Sequence, residues 1–367
     1  MSEWKGRVLS VNVFGQSHSE AIGVVFSGLP AGLSIDLETL AAFMQRRAPG
    51  KSRLSTQRRE ADAVEWLSGL LESRTCGAPL AGMIRNGDAR SSDYRKIADL
   101  PRPSHADWPA QVKFKGFQDV RGGGAFSGRL TAPICAAGGI ALQLLARLGV
   151  GVVAHVLSIG TERDRGMDPM GESEAALLAR LTREVPTLES DAAERMAAAI
   201  EAARLDADSV GGVIEAQVTG LLVGLGGELF DGLDGAVAAA LFAIPGVKGV
   251  SFGEGFGAAA LRGSENNDPY GLIDGQIVPL SNHAGGVLGG MSTGLPLTVA
   301  VAMKPTPSIG KLQQSVSLSS GELTQYRVPG RHDPCIVIRA VPVVEAILAL
   351  VVLDALLAAH ALEERWP

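Results

Sequence analysis

The chain has 367 residues and a mass of 38.0 kDa, and with 46% hydrophobic and 20% charged residues it fits a packed globular protein and excludes a disordered one. A net charge of −6 and only 5% aromatics argue against a general binder of nucleic acid or of anionic membranes. The opening MSEWKGRVLSVNVFG lacks an apolar signal core, and no stretch offers the roughly 18–20 uninterrupted apolar residues of a membrane span, so a cytoplasmic protein is expected.

Residues 8–13 alternate as a strand, and the loop Gly15-Gln16-Ser17-His18-Ser19 separates them from a second apolar strand at 22–26. Leu37, Leu40, Ala41 and Met44 have helical spacing, and Pro49-Gly50 ends that helix in a basic loop reaching about Arg59. A strand follows at 80–84. Residues 85–128 show little periodicity but hold many charges and the aromatics Tyr94, Trp108, Phe114 and Phe117, the pattern of a long functional loop. Residues 131–148 are apolar almost all round and predict a buried helix. A buried strand is expected at 150–159, and a charged peripheral excursion at about 160–190. Asp191 with Glu194 reads as a capping pair opening a helix to about 205. Strands at 213–222, 247–252, 297–303 and 336–339 and a helix at 233–242 follow, and Pro342 is expected to open a final helix to about 362, interrupted in its apolar run by Glu345 and Asp354. No regular βαβ alternation, repeat or linker appears. The expected fold class is therefore α+β, in one large domain over 1–367.

Chemistry concentrates in a few places. Of 25 Arg, 12 lie between Arg46 and Arg129, and guanidinium is the group for bidentate binding of carboxylate and phosphate. A local anion site and a merely solvated Arg-rich surface both remain open on composition. Three of the six His (His18, His105 and His332) stand in polar, Gly- or Pro-bounded loops beside Ser, Arg or Asp, where an imidazole can move a proton near neutral pH. His155 and His360 sit in apolar strand and helix contexts and read as structural. Gly122-Gly123-Gly124 runs between Arg121 and Arg129 into the helix expected at Thr131, a backbone donor surface for an anion. It is not a GxxxxGK[ST] phosphate loop. A second glycine-rich stretch over 282–294 is followed by Lys304-Pro305-Thr306-Pro307-Ser308 and resembles a phosphate or ribityl surface. Gly253-Glu254-Gly255-Phe256-Gly257-Ala258 matches the GxGxxA dinucleotide pattern weakly, since no long helix is expected after it. Cys76, Cys135 and Cys335 have no metal-site spacing and fit buried thiols in a reducing compartment.

Phe14-Gly15-Gln16-Ser17-His18-Ser19-Glu20, Arg46-Arg47-Ala48-Pro49-Gly50-Lys51-Ser52-Arg53, Arg102-Pro103-Ser104-His105-Ala106-Asp107, Arg121 through Thr131, and Gly330-Arg331-His332-Asp333-Pro334 occur in one order along nearly the whole chain. That series resembles the chorismate synthase family. The resemblance implies a β-α-β sandwich, with a helical layer packed between β-sheets. It implies a lyase of the shikimate pathway, serving aromatic amino-acid biosynthesis, that converts 5-enolpyruvylshikimate 3-phosphate to chorismate and inorganic phosphate. It also implies reduced FMN (FMNH2) as cofactor, a reductant such as NADPH or a flavin reductase acting from outside, and a homotetramer.

By resemblance, His18, His105 and Asp333 are the catalytic candidates: His18 toward reduced flavin, His105 toward the leaving phosphate, Asp333 for proton removal. Arg47, Arg53, Arg102, Arg129 and Arg331 would clamp the substrate's anions, with Ser17 and Ser127 donating hydrogen bonds. FMN would be held by Ala125, Phe126, Ser127, Pro245, Gly246, Gly289, Lys304, Pro305, Thr306, Pro307, Ser308 and Arg331. No metal ligand is implied. The sequence departs from the family at Gln16, Ser19, Ser104, Ala125, Phe126 and Leu130; Ala125 stands where the family has a flavin-side Arg. Two other classes stay open: a nicotinamide oxidoreductase built on Gly253 to Ala258, and a non-catalytic or flavin-poor binder of phosphosugars or other anions.

Overall fold

The structure is a computed structural model that describes residues 2–50, 54–55, 60–87, 98–172, 177, 182–328 and 333–359. Arg53, Arg331, His332, His360 and Tyr94 lie outside the described residues.

Two five-stranded sheets enclose a helical layer. The first contains β1 (Glu3–Lys5), β2 (Ser10–Gly15), β3 (Ala21–Ser27), β4 (Glu65–Ser68) and β5 (Leu80–Arg85), in the order β1-β2-β3-β5-β4. The second contains β6 (Gly151–Ile159), β7 (Glu162–Arg163), β8 (Gly212–Thr219), β9 (Val247–Phe252) and β10 (Leu297–Met303), in the order β9-β10-β8-β6-β7. Neighbouring strands in both are antiparallel. The inward side follows the side-chain period of two: Leu297, Val299, Val301 and Met303 of β10 are buried and the residues between them only half-buried.

The layer between the sheets is formed by α1 (Leu37–Arg47), α3 (Thr131–Arg147) and α6 (Val337–Ala358). A short helix, α2 (Asp107–Lys113), lies in the long loop before α3, and α4 (Ser190–Leu205) and α5 (Leu233–Leu241) flank the second sheet. Asp36 starts α1 by accepting from the backbone N–H of Glu38 and Thr39. The middle of α3 is small because α6 lies against it: a Cβ on Gly138 would fall 2.3 Å from the Ala346 Cβ, and one on Gly139 would meet Leu40 of α1 at 2.5 Å. Gly128–Arg147, which is α3 with the turn before it, and α6 are long and apolar enough to cross a membrane by length and composition, yet 72% and 89% of their apolar windows are buried inside the protein, as core helices. The two carboxylates that interrupt α6 are each saturated. Glu345 takes both Nη atoms of Arg46, at 2.6 and 2.9 Å, and the Ala154 N–H; Asp354 takes the N–H groups of Arg7, Val8 and Leu9 at 2.7–2.9 Å. Buried charge is tolerated only with such partners.

Four expectations need correction. Residues 336–339 are not a strand: α6 begins at Val337 and Pro342 lies inside it. A helix buried on every side has no periodicity to read, and its β-branched start imitates a strand. Asp191 does not cap α4, since Glu189 occupies the N-cap position without a side-chain hydrogen bond and Asp191 instead pairs with Arg195 at 2.5 Å. Cys76 is exposed, whereas Cys135 and Cys335 are buried and burial pushes their thiols up to about 12. Of the region 85–128, the described part 98–128 holds α2 and the short helical turn Arg121–Phe126, which its sequence does not show.

The described part of 160–189 folds over the second sheet's outer side, where Met167, Leu177 and Leu188 cluster with Val153. Between them His155 is 0% exposed. Its Nε2 is 2.8 Å from Glu215 Oε2 on β8, and its Nδ1 is 3.3 Å from Asp164 Oδ2, off hydrogen-bond alignment. Burial lowers the imidazole's pKa, but the two flanking carboxylates outweigh it and hold it above the ordinary value. Stability from this cluster is therefore complete below the unfolded-state pKa of about 6.5 and lost as pH rises through the higher folded-state value. His155→Ala, by leaving two carboxylates without their cation, should destabilise by about 3–5 kcal/mol. Melting curves between pH 5.5 and 9.5 should show the wild type losing its advantage over the variant as pH rises.

Candidate active site

The three helices of the middle layer each bring a cation to one place. Arg47 ends α1, Arg129 stands two residues before α3, and Arg339 lies in the first turn of α6. Arg47 and Arg129 are buried and Arg339 is half-buried. Arg47 donates from Nη1 to Asp62 Oδ2, from Nε to Thr131 at 3.1 Å and from Nη2 to the Gly128 carbonyl at 3.3 Å. Arg129 donates from Nη1 to Asp62 Oδ1 and from Nε to Asn86 at 3.0 Å. Arg339 donates from Nε to the Arg47 carbonyl at 3.1 Å and from Nη1 to Asp333 at 2.8 Å. Burial raises the Asp62 carboxyl, but the charges of Arg47 and Arg129 outweigh it and leave Asp62 below its ordinary range. Burial also lowers both Arg129 and Arg339.

The two loop imidazoles meet the glycine-rich turn. Gly122, Gly123 and Gly124 all have positive φ (60°, 85° and 55°), which only glycine adopts freely in succession. The Gly124 carbonyl accepts from the Ser17 N–H at 3.2 Å, and His18 Nδ1 lies 3.2 Å from Ser17 Oγ. A Cβ on Gly122 would sit 2.3 Å from His18 Cε1, and one on Gly123 would sit 3.2 Å from His105 Nε2. Adjacent glycines thus rest against both rings. Ser127 uses its Oγ to accept from the Arg129 N–H at 3.2 Å.

His105 is oriented by Asp107. Asp107 Oδ1 lies 2.6 Å from His105 Nδ1 and accepts Arg102 Nη2 at 2.8 Å, while Oδ2 accepts Arg102 Nε at 2.8 Å. Arg102 Nη2 also lies 3.0 Å from Nδ1 but already donates to Asp107 Oδ1, and the shorter carboxylate contact favours the proton on Nδ1, with Nε2 turned to the glycine loop. Burial raises the Asp107 carboxyl, but its bonds from Arg102 and His105 outweigh that and hold it far below its ordinary range. A cavity of about 660 Å³, a size suited to a small molecule, opens beside this group between Arg102, His105 and Trp108 on one wall and Gln314 to Leu318 on the other.

Most of the expected cofactor segment joins the same cluster. Arg102 Nη1 donates to Ser308 at 3.1 Å, Lys304 Nζ to the Ser104 carbonyl and the Lys304 N–H to the Gly246 carbonyl at 2.9 Å, next to Pro245. Thr306 donates to the Asp333 carbonyl at 2.8 Å. Pro305 is exposed and Pro307 half-buried in that run. Ala125 is exposed, and Phe126, 41% exposed, pairs with Phe114 at a ring separation of 6.4 Å. Gly289 stands apart: the neighbouring Gly290 carbonyl accepts from Leu233 at the start of α5, whereas Pro245 and Gly246 follow the end of that helix. Arg53 and Arg331 fall outside the described residues. Sequence reasoning missed Asp62, Asn86, Asp107 and Arg339 as site residues. Only Asp107 carried a signal, lying two positions from His105 in the same motif.

Buried guanidiniums, oriented imidazoles and a small-molecule cavity define an enzyme site for an anionic substrate. The chorismate synthase family model matches residues 9–357. Chorismate synthase of Korarchaeum cryptofilum is 46% identical over 95% of this chain and 96% of its own length. That of Thermococcus kodakarensis is 44% identical over 98% and 99%. A crystal structure of chorismate synthase superposes with a TM-score of 0.77 at 26% identity, covering 99% of this chain and 97% of that one. The chain belongs to the chorismate synthase family, a family of lyases, and its α+β sandwich is the fold of that relative.

Asp107→Asn should turn the His105 ring or reverse its tautomer and lower turnover by about 10²–10⁴-fold, the range for a placed proton-transfer group. Gly122→Ala should act through steric contact with His18 and lower turnover at least tenfold. Rates normalised to folded protein, measured by circular dichroism, check both.

Proposed function

We propose that this protein eliminates phosphate from 5-enolpyruvylshikimate 3-phosphate to give chorismate, with reduced FMN as cofactor. The observation that carries this reading is the pair of imidazoles on adjacent glycines beside a buried guanidinium cluster. The substrate has two carboxylates and a phosphate, a charge pattern that Arg47, Arg102 and Arg129 complement. In the 1,4-anti elimination the C3–O bond breaks with its electron pair leaving on phosphate. C6 loses a proton, its C–H electron pair forms a new ring double bond and the existing ring double bond shifts to C3, so that no net oxidation occurs.

The chain's own groups fit that task. Arg47 and Arg129 bind and orient anions, and Arg102, fixed by Asp107, does so beside His105. His105 Nε2, directed by the Nδ1 contact to Asp107, exchanges a proton at the leaving phosphate oxygen. His18, held by Ser17, serves the cofactor side. Asp333 is placed by Arg339 to take up a proton. The positive-φ glycines at 122 and 123, where any Cβ would press on the imidazoles, leave a side-chain-free surface suited to a planar ring. Ala125, Phe126, Ser127, Pro245, Gly246 and residues 304–308 would hold FMN around it, with Arg331 and Gly289 assigned by the family resemblance. Reduced FMN supplies electron density that assists departure of the phosphate. Reducing equivalents come from an outside source such as NADPH with a flavin reductase, and the active form is a cytoplasmic homotetramer.

The dinucleotide alternative lacks support from its own segment. Gly255–Ala260 is a six-residue 3-10 turn, which offers no α-helix N-terminus to a pyrophosphate. The reading is tested by anaerobic assay of phosphate release and chorismate absorbance with chemically reduced FMN. Product formation supports it; tight NADPH binding without FMN affinity, or substrate binding without turnover, overturns it. Arg47→Ala and Arg129→Ala should each weaken substrate binding by about 2–5 kcal/mol in calorimetry, because each removes a charged hydrogen-bonding group from an enclosed site.

A further inference from the structure

Arg47 and Arg129 come from different helices and are both almost fully buried, so nothing in their own chain segments holds two like charges side by side. Asp62 does. It is 2% exposed, and each of its carboxylate oxygens takes one guanidinium: Oδ2 that of Arg47, Oδ1 that of Arg129. Its backbone has φ +51°, a left-handed conformation unusual for a residue with a side chain, and this strained turn just before β4 aims the carboxylate between the two helices. The grip leaves one edge uncommitted. Among the described residues Arg129 Nη2 is buried without a hydrogen-bond partner, with Glu60 Oε2 at 3.8 Å.

We propose that Asp62 is a positioning residue for substrate recognition: it draws Arg47 and Arg129 into one fixed pair and so sets where both guanidiniums stand when a substrate anion binds. This rests on the reading of Arg47 and Arg129 as substrate-binding groups. Pre-setting both guanidiniums removes the ordering cost that two long, mutually repelling side chains would otherwise carry into binding. The proposal has an unusual sign. On charge alone, removing Asp62 makes the site more positive and should tighten anion binding; as a positioning group, its loss should weaken it.

The test is calorimetric titration of 5-enolpyruvylshikimate 3-phosphate, and separately of inorganic phosphate, into full-length wild type, Asp62→Asn and Asp62→Glu, with melting temperatures recorded alongside. Asp62→Asn keeps the shape but offers only one acceptor oxygen, so the expected result is a dissociation constant for the substrate at least tenfold higher with unchanged stoichiometry. Asp62→Glu keeps the charge but displaces it by a methylene, and should weaken binding at least threefold; it decides the matter if the Asn variant does not fold. Unchanged or tighter binding in the folded variants overturns the proposal. So does a loss confined to binding stoichiometry and melting temperature, which would make Asp62 merely structural. If the wild type binds phosphate but not the substrate, the substrate reading fails and the phosphate titrations alone decide Asp62. If it binds neither, both fail.

Discussion

A guanidinium cannot give up its charge at any pH a protein meets, so a buried arginine must be answered by an anion wherever it sits. That constraint shapes the active site. Asp62 answers Arg47 and Arg129, Asp107 answers Arg102 and orients His105, and Asp333 answers Arg339. Each carboxylate takes part of the hydrogen-bonding capacity of its cations, and at Arg129 one nitrogen, Nη2, is left without a hydrogen bond among the described residues. Neutralisation and orientation are one arrangement, in place before any ligand arrives.

The same constraint ties the site to the core. Neighbouring residues of α1 point to different ends: Arg46 to Glu345 in the middle of α6, Arg47 to Asp62 in the site. Glu345 in turn reaches the Ala154 N–H on β6, so one carboxylate joins two helices of the middle layer to the second sheet. The close approach of α3 and α6 at Gly138 sets how far apart Thr131 and Arg339 begin their helices, and both contact Arg47. Packing errors deep in the layer would therefore reach the chemistry as displaced guanidiniums.

Much of this was legible in the sequence. The loops carrying His18 and His105, the glycine run before α3, and the Arg-dense segment all stand out because their residue types are wrong for a core and wrong for an ordinary turn. Four strands of the second sheet were readable, at 150–159, 213–222, 247–252 and 297–303, whereas the two-residue β7 was not. What escaped has physical reasons. Asp62 and Asn86 lie in irregular segments, and their roles depend on partners 15 to 67 residues away. Arg339 hides in the first turn of a helix whose all-round burial erased its periodicity. The charged pairing of His155 was invisible because Glu215 and Asp164 reach it only through strand register and the fold-back after β7. The departure at Ala125 from the pattern the sequence resembles was plain, but only the structure shows the adjoining Phe126 against Phe114.

Carboxylates that fix the orientation and proton placement of the cationic groups must do so before any ligand arrives. Nitrogen-15 NMR of histidine-labelled protein tests this most directly, at His105 in the ligand-free enzyme with its ring neutral. The account predicts the neutral tautomer with the proton on Nδ1, facing Asp107, and an unprotonated Nε2. A neutral ring protonated on Nε2, or one averaging freely between tautomers, would contradict it.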